Sequence, residues 1–145
     1  MYDVRCTVYG VGCTTVLSNQ IQSFLNLCVL DAEVMKTRTK SFAINVAKLT
    51  LKLPITYINK VYGGQLVRSG SSSGANYRAS RRAKSKPDFI NKLKIVEEEL
   101  DESLFFLELL LEFNKPFEKE INDLYLEGET LLKIIVASIV SSRLG

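Results

Sequence analysis

The stretch Pro87–Phe113, PDFINKLKIVEEELDESLFFLELLLEF, decides the fold. Its apolar side chains at Phe89, Leu93, Val96, Leu100, Leu104, Leu107 and Leu111 recur at steps of three and four. That is the pitch of a helix that buries one face and wets the other; a half-buried strand would alternate at steps of two. Phe105, Phe106 and Leu110 add a second stripe. Ser85 is placed to cap the helix, Pro87 falls where its missing N–H costs nothing, and Asp88 complements the positive end of the helix dipole. At 1.5 Å per residue the helix is about 40 Å long. A two-faced helix of that length needs partners.

Partners lie on both sides of it. Asn114 to Pro116 turns the chain, and a further helix is predicted from about Phe117 to Ser142. Its seam is Phe117, Ile121, Leu124, Gly128, Leu131, Ile135 and Ile139, with Tyr125, Leu132, Ile134 and Val136 beside it. Upstream, Ser41 reads as the N-cap of a helix ending at Leu53, before Pro54 removes a backbone donor. Its face is Phe42, Val46, Leu49 and Leu53, widened by Ala43, Ile44 and Leu51.

Between these comes a helix from Asn59 or later to about Lys84. Gly63, Gly64, Gly70 and Gly74 weaken it on propensity. A small-residue face at Ser72, Ala75, Ala79 and Ala83 would let a neighbour approach closely, and a break within Ser69–Gly74 is its weakest point. Short connections make sequential helices antiparallel. The fold class is therefore all-α, an antiparallel up-down four-helix bundle with an N-terminal extension.

The first residues differ from the rest. Residues 1–34 are rich in Val, Thr, Cys and Gly early, then read Ile21–Leu30 as a short apolar stretch without sustained periodicity. Met35 followed by Lys36, Thr37, Arg38, Thr39 and Lys40 resembles a natural start. The domain reading is an extension over 1–36, either without structure of its own or a start placed too early, and a bundle over 37–145. A genuine extra element packed on the bundle is the alternative.

Composition narrows the chemistry. The 145 residues contain no histidine, which removes the commonest general base, metal ligand and catalytic-triad member. Cys6, Cys13 and Cys28 fit no zinc spacing, and their odd number argues against a closed disulfide framework. A reducing cytoplasm is expected, with no membrane span, no cofactor and no metal.

The formal net charge of +3 hides a bipolar arrangement. Arg78, Arg81, Arg82, Lys84, Lys86, Lys92 and Lys94 are opposed within their own stretch only by Asp88. Glu97, Glu98, Glu99, Asp101, Glu102, Glu108 and Glu112 then follow with no positive charge among them. The positive block straddles the turn between helices two and three and so gathers at one end of the bundle. Such a cluster binds nucleic-acid backbone by releasing counterions, with Tyr77 placed to stack on a base. The plainer reading is a solvated corner that meets acidic surfaces of neighbouring copies.

The carboxylates invite a metal hypothesis, but di-iron bundles need Glu-x-x-His pairs. Arg68, in a small and apolar stretch, calls for a carboxylate partner if buried, and Glu99 or Glu102 are the candidates. Gly63–Gly64 and the Gly/Ser run at 69–74 lack the Gly-Lys-Ser/Thr ending of a phosphate loop.

Several separated motifs carry a resemblance. They are Gln65-Leu66-Val67-Arg68-Ser69-Gly70, Ser73-Gly74-Ala75-Asn76-Tyr77-Arg78, Arg82-Ala83-Lys84-Ser85-Lys86 and Asp88-Phe89-Ile90 with Lys92-Leu93. Glu99, Glu102, Leu107-Glu108-Leu109 and the run from Leu131-Leu132-Lys133-Ile134-Ile135 to Ser142-Arg143 continue it in order. Together they resemble the four-helix-bundle proteins encoded in intervening sequences of bacterial 23S ribosomal RNA genes. The match covers about Ser41 to Arg143 and leaves residues 1–34 unmatched; Phe106 stands where that family usually has tryptophan.

The resemblance implies a homopentamer with a basic surface. The accessory proteins of diversity-generating retroelements look similar, and these bind nucleic acid and a reverse transcriptase. The expected function is thus a non-enzymatic oligomer that binds RNA or DNA through its basic end. The alternative is a protein-interaction scaffold or accessory subunit, for example of a reverse transcriptase, with no nucleic-acid contact.

Overall fold

The structure, a computed structural model, describes residues 32–144. They form four α-helices: α1 (Ala32–Lys52), α2 (Tyr57–Ser80), α3 (Lys86–Phe113) and α4 (Glu118–Leu144), with a 3₁₀ turn at Lys115–Phe117 before α4. Neighbours pack around a ring in chain order. The α2–α3 seam is the most extensive and the α1–α4 seam that closes the ring the sparsest. The bundle is the antiparallel up-down one expected. Most of the extension, including all three cysteines, lies outside the described residues.

α1 starts nine residues before Ser41, which is exposed mid-helix and caps nothing. The buried stripe begins at Met35 and passes through Thr39 to Phe42, Val46, Leu49 and Leu53. Thr39 can be buried because its hydroxyl donates to the Met35 carbonyl at 2.9 Å. A polar residue at a core position hides the first two turns from a search for apolar periodicity. Ala32–Lys36, counted with the extension in the sequence reading, are helical. Ile44 and Leu51 are exposed and do not widen the buried face.

α2 runs unbroken through Ser69–Gly74, and its two glycines there pack closely against α1. A Cβ on Gly74 would lie 3.4 Å from the Thr39 carbonyl oxygen, and one on Gly70 would lie 3.5 Å from Val46. The small face therefore sits one position away from the one expected. Gly63, Ser69, Gly70, Ser73, Gly74 and Ser80 are buried, while Ala75 is exposed and Ser72, Ala79 and Ala83 are half-buried. Each buried serine returns its hydroxyl to a carbonyl of its own helix, and Ser69 also meets the Ser103 hydroxyl of α3 at 2.8 Å. The helix ends at Ser80 rather than Lys84.

At the end opposite the α2–α3 turn, two loops are clasped by a buried amide pair. Asn59 Nδ2 donates to Asn114 Oδ1, and Asn114 Nδ2 donates to Asn59 Oδ1, both at 2.8 Å. The two amides also reach the Pro54 and Leu110 carbonyls. Truncating one leaves the other's Oδ1 buried and unpaired. Asn114→Ala is expected to destabilise the protein by about 2 kcal/mol, read as a lowered urea midpoint at unchanged slope.

Candidate functional site

The turn between α2 and α3 is fixed by local hydrogen bonds. Ser85 caps α3, its hydroxyl accepting the Asp88 N–H at 3.2 Å, and Asp88 Oδ2 in return accepts the Lys84 N–H at 3.0 Å. The second Asp88 oxygen takes an ion pair from Lys92 one turn along. The Lys92 hydrogen bond first, and the Lys84 N–H second, hold the Asp88 carboxyl below its ordinary pKa. The cap is therefore fully formed once pH exceeds the ordinary carboxylate range, and it weakens as pH falls through the lowered value.

Around this turn Arg78, Arg82, Lys84 and Lys86 are exposed. Arg81 is half-buried, its guanidinium 5.7 Å from the centre of the Phe89 ring, so its charge is held in place by stacking. The other two predicted cations are arranged differently. Lys92 is tied to Asp88, the acid that sits amid the block. Lys94 lines an α3–α4 groove of about 480 Å³ with Glu97, Glu98, Asp101, Leu132 and Val136, so carboxylates surround it. The predicted stacking residue is also absent from the surface: Tyr77 is 7% exposed and belongs to the core.

Two cations distant in sequence lie toward the same end of the bundle. The Lys40 backbone nitrogen would lie 3.8 Å from a Cβ on Gly74, one helical turn from Arg78, and its side chain is exposed. On α4, Val136 shares a groove with Lys94. Seven residues further, roughly 10 Å along the helix, exposed Arg143 comes level with the start of α3. Neither is legible in the sequence as part of the block, because only the antiparallel packing of α1 and α4 brings them to this end.

Apart from Glu97, Glu98 and Asp101 in that groove, the carboxylates are dispersed. Arg68 is exposed rather than buried, and its Nη2 donates to Glu102 Oε1 at 3.2 Å. Glu99 Oε2 is buried with no hydrogen-bond partner. Tyr125 donates to Glu108 at 3.0 Å, and Glu112 faces Lys115. Among the described residues no group of three or more His, Cys, Asp or Glu side chains could hold a metal ion. No helix among them is long and apolar enough to cross a membrane.

Fold and site together define an up-down four-helix bundle with a cationic tip. The family model for 23S rRNA-intervening sequence proteins matches residues 31–137, and the chain belongs to that family. A crystal structure from Bacteroides thetaiotaomicron VPI-5482, of a protein with unknown function from the S23 ribosomal protein family, is similar to it. That similarity has a TM-score of 0.66 at 29% identity and covers 75% of this chain and 97% of the other. No curated protein matches the chain.

Proposed function

We propose that this protein is a non-enzymatic, self-associating module of the cytoplasm that binds RNA or DNA by its phosphate backbone. The observation that carries the reading is the tip itself. Arg78, Arg82, Lys84 and Lys86 are exposed around one turn, Lys40 and Arg143 lie toward the same end, and Asp88, the acid within the turn, is engaged by Lys92. Such a surface reads charge and spacing rather than base identity, so affinity depends steeply on salt and little on sequence. Neutralising four to five phosphates gives a slope of about −4 in log K against log salt, a loss of roughly 300-fold between about 50 and 200 mM. Fluorescence anisotropy with a labelled mixed-sequence duplex tests it. No binding at 50 mM, or salt-independent binding, would contradict the reading.

Asp88→Asn supplies a signed check. Asparagine still accepts the Lys84 N–H, while Lys92 is released and the tip gains one unit of charge. Binding should tighten about fivefold at low salt, with the slope steeper by about one. Weakened binding would argue against phosphate contact here.

Self-association is supported by apolar side chains left outside the core. Leu51 is 86% exposed and Leu144 85%, with Tyr57, Phe113 and Leu126 also outside. Homopentamer is the stoichiometry we propose, and light scattering reads it. The scaffold reading shares this support, with a reverse transcriptase as one partner. It differs in predicting that reversing the tip charges breaks the assembly.

A further inference from the structure

We infer that the basic tip is built for double-stranded nucleic acid in preference to single strands, an inference that rests on the backbone-binding reading above. Proteins that hold single strands combine a cationic track with aromatic rings on which unstacked bases lie, each ring adding about 1–3 kcal/mol per base. Among the described residues, the two aromatics nearest this tip are withheld. Tyr77 is buried in the core, and Phe89 is half-buried with the Arg81 guanidinium over it. The exposed aromatics among the described residues are Tyr57, Phe105 and Phe113. Tyr57 and Phe113 stand at the opposite end, and Phe105 lies 19 residues of α3 beyond Lys86, about 30 Å.

The layout of the cations points the same way. They come from all four helices: Lys40 on α1, Arg78 at the end of α2, Lys86 at the start of α3 and Arg143 near the end of α4. With interaxial distances of about 8–10 Å, this makes a two-dimensional patch rather than a track. A duplex presents phosphates of two strands at fixed spacing across a groove and can meet such a patch without conformational cost. A single strand offers one line of phosphates and must be ordered to use it.

The test is competition for the full-length protein between a 24-base-pair mixed-sequence duplex and an unstructured 24-nucleotide oligothymidylate at equal phosphate concentration and about 50 mM salt. The inference expects the duplex to bind at least tenfold more tightly. Equal or tighter binding of oligothymidylate overturns it while leaving the backbone-binding function in place. Failure of both to bind overturns that function and the inference with it.

Discussion

Reversing Arg82, Lys84 and Lys86 to glutamate is expected to lower duplex affinity by about 10³-fold or more at 0.1 M salt. Each phosphate contact contributes a factor of roughly eight at that salt through counterion release, so three lost contacts account for about 500-fold. Repulsion from the introduced carboxylates adds the rest. The three side chains are exposed, and the cap they surround depends on Ser85, Asp88 and the Lys84 backbone N–H, which the changes leave in place. Helical signal and melting temperature should therefore hold. The control is an equal change in net charge at the other end, Lys60, Lys115 and Lys119 to glutamate. Similar losses in both triple variants would show that net charge matters and the tip does not. Loss of assembly with binding retained would favour the scaffold reading.

The second large effect is on folding. A Cβ on Gly128 would lie 2.9 Å from Leu104 Cδ2 and 3.2 Å from two ring atoms of Phe42. Both neighbours belong to the buried core, and they come from α3 and α1. Gly128 is thus where α4 closes against two other helices, next to the Glu127–Arg38 pair that ties α4 to α1 through two hydrogen bonds of 3.0 and 2.9 Å. Gly128→Leu removes the helix penalty of glycine, worth up to about 1 kcal/mol, but forces four extra carbon atoms into occupied space. Overpacking of that kind should exceed it, for a net loss of about 3 kcal/mol or more and a melting temperature lower by about 10 °C. Gly64→Ala makes the opposite case. It is exposed and a Cβ there meets nothing within 4 Å, so stability should rise by about 0.5–1 kcal/mol. A stable Gly128→Leu would mean that the α1–α4 seam is open in solution.

The contrast between those glycines shows where the sequence is legible. α3 and α4 were readable nearly residue by residue because Leu, Ile and Val mark their buried faces: Ile121, Leu124, Gly128, Leu131, Ile135 and Ile139 are buried as their spacing predicts. The start of α1 and the packed face of α2 were not, because small or polar residues occupy their contact positions, whereas Phe42, Val46, Leu49 and Leu53 of the α1 seam are buried as their spacing predicts. Thr39, Ser69 and Ser73 look like surface, yet each satisfies its hydroxyl on its own helix and is fully buried. The one-position error along α2 follows from choosing alanines over the glycines and serines that pack.

At the site, the charge block was visible as a run from Arg78 to Lys86. Its pairing was not, since Lys92 meets Asp88 at helical spacing while Lys94 turns toward carboxylates of its own helix and a groove shared with α4. Lys40 and Arg143 emerge only when the antiparallel topology brings the start of α1 and the end of α4 to the same tip.

Lysine footprinting tests the central claim most directly. The protein is acetylated briefly with and without saturating duplex, and each modified lysine is quantified by mass spectrometry. Lys40, Lys84, Lys86 and, more weakly, Lys94 should be protected, while Lys52, Lys60, Lys115 and Lys119 react as before. Protection of the second group, or equal protection at both ends, would contradict a phosphate-binding tip.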